Sequence, residues 1–156
     1  MRPRMNGFPP SVDDGPTDRR GLRVLDLEEC LSRTAHHEVG RVAFASDGDM
    51  TILPVTYLLD GAGVSFLTTW GSKLQVAADG GRMAFEVDET DPATRTGWSV
   101  LFQGSASIVE DPARISRLDA RLPGLWVPAG TRTFWVHLRP DSVSGREIVP
   151  AGSRAS

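Results

Sequence analysis

Apolar and polar residues alternate over much of the middle of this chain, and a period of two predicts strands. "GRVAFAS" (40–46), "TILPVTYLL" (51–59) and "VSFLTT" (64–69) are short runs rich in β-branched and aromatic residues. "DGDM" and "DGAG" separate them, both Asp-Gly signals of hairpin turns, so the three runs predict an antiparallel meander. "RMAFEVD" (82–88) alternates again, with Met83, Phe85 and Val87 on one face. "GWSVLFQGSASIVE" (97–110) reads as a long strand in which Gly104 marks a bulge or bend. "TRTFWVHLRP" (131–140) and "SVSGREIV" (142–149) read as two more strands, joined at Pro-Asp.

The period changes in three places. Asp26 suits the cap of a short helix over 27–36, with Glu28 and Glu29 in its first turn. "SKLQVAAD" (72–79) turns helical and "GG" at 80–81 can end it. "DPARISRLDARL" (111–122) places Asp111 at a cap and Pro112 at the first helical position. Six or seven antiparallel strands with two or three short helices predict a mostly β fold, a β-barrel with helical additions. Strands and helices do not alternate regularly, which argues against a Rossmann-type sheet. Residues 1–21, rich in proline, glycine and mixed charge, read as a disordered or loosely docked tail. The folded domain is expected over 22–149, and 150–156 read as a second tail.

Composition narrows the class. The chain has 156 residues, enough for one domain with a sizeable core, and a net charge of -3. No global basic field recruits nucleic acid or an anionic membrane, and no apolar run is long enough to span a bilayer. The N-terminal segment lacks an apolar core of signal-peptide length, so the expected location is the cytoplasm. Cys30 is the single cysteine and falls at helical spacing with Leu27 and Leu31, as a buried helix residue does. His36 and His37 are adjacent, so on a helix they point about 100° apart and suit a helix C-terminus better than a metal. No metal site is expected. Glu86 and Asp88 share a strand face and read as solvated or barrel-mouth carboxylates.

One stretch carries candidate chemistry. "TTWGSKLQ" (68–75) contains Lys73, the only lysine; every other basic residue is arginine. It lies between the end of a strand and the start of a helix. Free backbone N–H groups there, the hydroxyls of Thr68, Thr69 and Ser72, and the point charge of Lys73 would suit a phosphate. It is not a Walker A loop, because the first glycine of that motif is missing.

The order "GRVAF…DG…ILPVTYLLDGAGVSFLTTWGSKL", "MAFEVDETD…GWSVLFQGSASIVEDP", "VHLRPDSVSGREI" resembles the pyridoxamine 5′-phosphate oxidase-like family over residues 22–149. More narrowly, it resembles the small uncharacterised or nitroreductase-related members. The resemblance implies an FMN-binding split β-barrel. For a bound FMN it implies contacts from Pro54, Val55, Thr56 and Tyr57 along the ring, and from Leu67, Thr68 and Thr69 along the ribityl chain. Ser72 and Lys73 would take the phosphate, with Trp98 and Ser99 near the polar edge of the ring. It also implies a homodimer with the flavin at the two-fold interface. Trp126 or Trp135 of the partner's C-terminal half would then close the site.

Two features depart from the oxidase proper. Leu74 follows Lys73 where a second basic residue is usual, and "WVHLRPD" does not supply the C-terminal arginine-histidine motif. Vitamin B6 oxidation is therefore not expected. The leading expectation is an FMN-dependent oxidoreductase, a reductase of a small planar organic substrate. The alternatives are a flavin-sequestering module without turnover and a reductase using a deazaflavin coenzyme. Relatives of the fold also use haem.

Overall fold

The computed structural model describes residues 10–11, 15–19, 21–122 and 128–149. Pro10–Ser11 (β1) and Gly15–Pro16 (β2) pair as a small ribbon. Arg23–Leu25 (β3) leads into the helix Leu27–Ala35 (α1). Val39–Ser46 (β4), Asp49–Asp60 (β5) and Gly63–Thr68 (β6) form the expected meander, and the helix Ser72–Ala78 (α2) follows. Arg82–Asp91 (β7), Thr96–Ile108 (β8), the helix Pro112–Arg121 (α3) and Phe134–Ile148 (β9) complete the chain.

The strands run β9-β6-β5-β4-β7-β8, and β8 pairs back onto β9 to close a six-stranded antiparallel barrel, with β3 added at β9. Closure removes the free edges that an open sheet of this size would expose. Alternate residues point inward, as the strand period requires. Val42, Phe44, Tyr57, Phe66, Phe85, Phe102, Val136 and Leu138 fill the interior. Tyr57, Phe85 and Phe102 pack edge to face, with centroids 4.7 and 5.8 Å apart. Burying each such side chain contributes about 1.5–3 kcal/mol.

Each helix covers a different part of the barrel. α1 packs Cys30 into the core and lies against β5, β8 and β9. α2 packs Leu74 and Ala77 against β4, β8 and β9. α3 lies on the outside, where Leu118 and Ile115 cover Leu67, Val109 and Trp135. The Asp26 cap is a full capping box: Glu29 N–H donates to Asp26 Oδ1 at 2.8 Å, and Asp26 N–H donates to Glu29 Oε2 at 2.9 Å. Asp111 accepts from Ala113 N–H at 3.3 Å, with Pro112 behind it. Burial pushes the Cys30 thiol up to about 11, which keeps it unreactive.

The C-terminal segment corrects one expectation. Residues 134–148 form one strand, not two joined at a turn. Gln103 faces Ser142 while Gly104 faces Pro140, so Asp141 is the extra residue of a β-bulge. Proline is tolerated there because a bulge interrupts the ladder that its missing N–H would otherwise leave incomplete. Gly104 is required on the facing strand, since a Cβ would lie 1.9 Å from the Arg139 carbonyl oxygen. β3 was not legible as a strand, because three residues are too few to show a period. Within the N-terminal stretch, Thr17 bridges to Arg23, and Arg146 donates to Asp18 Oδ2 at 3.1 Å.

Candidate functional site

Unlike the other two helices, α2 has no side-chain cap. Gly71 stands at its N-cap with φ 157° and ψ -163°, a conformation that side-chain-bearing residues rarely adopt. Nothing lies within 4 Å of where its Cβ would be, so the glycine serves the turn rather than a close approach. α2 has only seven residues, and so short a helix lends little dipole to an anion. What distinguishes the spot is Lys73. Its side chain is half-buried, and burial lowers its pKa below the ordinary lysine value. It makes no ion pair among the described residues. A partly desolvated ammonium without a counter-charge is costly, and an anion beside it removes that cost. Ser72 is exposed next to it, and Thr69 lies four residues before it at intermediate burial. Thr68 is buried, and its hydroxyl donates to the Thr69 carbonyl at 3.2 Å.

The expected flavin-contacting strip divides by strand parity. Val55 and Tyr57 point into the core, at 5% and 1% exposure, so their side chains are not open to a surface ligand. The Tyr57 hydroxyl donates to the Thr34 carbonyl of α1. Their neighbours Pro54 and Thr56 point outward, as does Leu67 beside Phe66 on β6. Leu67 also packs under α3. Thr56 is nonetheless buried, at 9% exposure, so the strip open to a ligand is Pro54 with the edge of Leu67, leading toward Thr69, Ser72 and Lys73.

Trp98 and Ser99 occupy opposite faces of β8, three strands from β5 in the sheet order. Trp98 packs edge to face with His37 at 5.2 Å and lies 5.4 Å from the Arg33 guanidinium. It belongs to the contacts of α1. Trp135 is 3% exposed, and its indole N–H donates to Asp119 Oδ1 at 2.8 Å, so α3 of the same subunit holds it. Trp126 lies outside the described residues.

The remaining polar clusters are internally matched. His36 Nδ1 lies 2.6 Å from the Ser32 carbonyl, and His37 Nε2 lies 3.1 Å from Glu89, so the two rings serve different partners. Burial raises the Glu86 carboxyl above its usual range; Asp88 adds to this and Arg41, at 3.2 Å, opposes it. Under α3, the Ser65 hydroxyl donates to Asp60 Oδ2 at 2.8 Å and lies 2.9 Å from His137 Nδ1, and Arg114 donates to the same carboxylate at 2.7 Å. Ser65 is fully buried, so this Ser-His-Asp grouping pins α3 to the barrel and offers no accessible nucleophile.

Sequence reasoning passed over Trp70. Its indole is 80% exposed and packs edge to face on Phe134, with centroids 6.2 Å apart. Beside it opens a cavity of about 290 Å³ lined by Ser46, Asp47, Gly71, Ser72, Gln75 and Ile108, among others. An aromatic between two threonines and a Gly-Ser was visible in the sequence, but its exposure was not.

A closed six-stranded antiparallel barrel with three marginal helices is the architecture of the flavin-binding split barrels. Residues 26–147 match the family described as Pyridoxamine 5′-phosphate oxidase, and the chain belongs to that family. An uncharacterised protein of Mycobacterium tuberculosis, Rv0080, is 36% identical over 146 residues, covering 90% of this chain and 95% of its own. The FAD binding protein from Mycobacterium smegmatis superposes with a TM-score of 0.66 at 29% identity, over 81% of this chain and 99% of its own. A FAD-binding protein from Mesorhizobium loti gives a TM-score of 0.66 at 25% identity, over 81% of this chain and 96% of its own.

Proposed function

We propose that this chain binds a flavin nucleotide through the outer strip of β5 and β6 and the start of α2. We further propose that it uses the flavin as a reductase of small planar organic substrates. The observation that carries the reading is Lys73: half-buried, without an ion-pair partner among the described residues, and adjacent to the Ser72 hydroxyl. It fits the phosphate of the FMN unit as a point charge with three donors. The likeness to two FAD-binding proteins supports a flavin. When bound, that group supplies the hydride chemistry. The protein's own residues then hold and orient it. Lys73 and Ser72 fix the phosphate, and Pro54 and Leu67 offer an apolar bed that excludes water from one side. Leu74 follows Lys73 where the oxidase proper has a second basic residue, which favours planar acceptors over pyridoxal precursors.

The same reading includes a homodimer. Met50, Ile52 and Leu53 on β5 are 74%, 68% and 37% exposed, a contiguous apolar edge on the strand that carries Pro54 and Thr56. The "TFWVHL" run, by contrast, is spent within one subunit: Trp135, Val136 and Leu138 are all buried there. Sedimentation at micromolar concentration is expected to give twice the 16.9-kDa monomer mass; monomer alone overturns the dimer.

The test of function begins with the absorption spectrum of the purified protein and ends with anaerobic reduction by nicotinamide donors. A flavin spectrum bleached by a donor and restored by a quinone or nitroaromatic is the expected result. A flavin spectrum inert to every donor and acceptor identifies a sequestering module instead. A deazaflavin spectrum replaces the flavin with that coenzyme.

A further inference from the structure

Resting on that flavin reading, we propose that the cavity beside α2 is an adenine subsite. Trp70 stacks on the purine of a flavin dinucleotide, and the chain takes FAD in preference to FMN. Trp70 leaves most of a large aromatic surface in water, yet it is braced against Phe134, which itself lies 4.9 Å under the Arg132 guanidinium. A fixed, exposed indole is the usual platform for a nucleic base, because every base has a π-face and stacking needs no particular edge.

The size and lining of the cavity select the ligand part. At about 290 Å³ it falls just below the range of whole-ligand pockets, which fits one bicyclic base and not a complete flavin nucleotide. Its polar groups suit the edge of adenine. The Asp47 carboxylate can only accept, as the exocyclic amine requires, and the Gln75 amide offers the donor and acceptor pair that reads adenine elsewhere. Ser72 lines the cavity, so a phosphate taken by its hydroxyl stands at the cavity's rim next to the base. Arg132, stacked on Phe134, adds a second cation on the Trp70 side, where a diphosphate carries a second charge.

The experiment is fluorescence titration of apo protein with FAD and with FMN. Wild type is expected to bind FAD about tenfold or more tightly than FMN, the size of one base stacked on an aromatic ring. Trp70→Ala is expected to weaken FAD by about that factor and leave FMN nearly unchanged, while Trp70→Phe keeps the preference. Ala78→Phe, on an exposed position that lines the cavity, fills it with Trp70 in place and is expected to act as Trp70→Ala does. Equal affinity of wild type for the two flavins, or equal weakening of both by Trp70→Ala, overturns the adenine subsite and leaves the flavin reading standing. Wild-type protein that takes up neither flavin overturns both.

Discussion

The surroundings of α1 and of α2 are built differently. Around α1 most of the strong polar groups are matched. The helix has a two-way capping box, and Arg23 and Arg33 both reach Glu147, at 2.6 and 3.0 Å. The Thr34 hydroxyl donates to the Cys30 carbonyl at 2.7 Å, and the Thr34 carbonyl accepts from Tyr57. Around α2 the opposite holds. The N-cap is a bare glycine, the only lysine has no counter-charge among the described residues, and an indole stands in water beside a cavity. A helix whose polar groups are already paired gains nothing from a ligand. One with an unmatched ammonium and uncovered aromatic surface gains whatever a ligand returns. The contrast marks α1 as structural and α2 as receptive.

That contrast breaks most readily at Lys73. Lys73→Ala should weaken flavin binding by about 1.5–3 kcal/mol, ten- to a hundredfold, while leaving the unfolding midpoint unchanged or slightly raised. Unaltered affinity in a titration of the variant would show that the ammonium is not a ligand. Tyr57→Phe should do the reverse. Loss of the bond to Thr34 should cost about 1 kcal/mol or somewhat more in denaturant unfolding, with flavin affinity as in wild type. A drop in affinity without a drop in stability would reverse the assignment of the two ends. Glu147→Gln removes a carboxylate shared by two partly exposed arginines, so it should cost at most about 1 kcal/mol, and less in high salt.

The smallest expected effect is a pH dependence under α3. Burial lowers the His137 pKa, with Arg114 adding to the effect and Asp60 opposing it. Burial pushes the Asp60 carboxyl up, but Arg114 and Ser65 outweigh it and hold the carboxyl below its usual range. For both groups the folded pKa lies below the unfolded one. The stability each contributes is therefore complete above its unfolded value and is lost as pH falls through the folded value. Stability should decline below about pH 6.5 through His137 and again below about pH 4 through Asp60. In His137→Gln the first decline should vanish from unfolding midpoints measured across that range, and its persistence would assign the dependence to another group.

Local chemistry set much of this protein directly. The period-two runs became β4 to β8, and Asp26 and Asp111 became helix caps. Gly104 became the residue facing a bulge, because only glycine fits against the Arg139 carbonyl. The family resemblance, too, rested on residues that sit in order along the chain. Tertiary structure decided the rest, since it depends on what lies opposite. Pro140-Asp141 looks like a turn until β8 runs past it unbroken. Val55 and Tyr57 looked like ligand contacts until barrel closure turned their side chains inward, and Trp135 looked free until Asp119 took its indole N–H. The lack of a counter-charge at Lys73 and the exposure of Trp70 are facts about neighbours missing among the described residues. A sequence specifies which groups a residue can pair with, but only the folded chain shows which of those partners arrive.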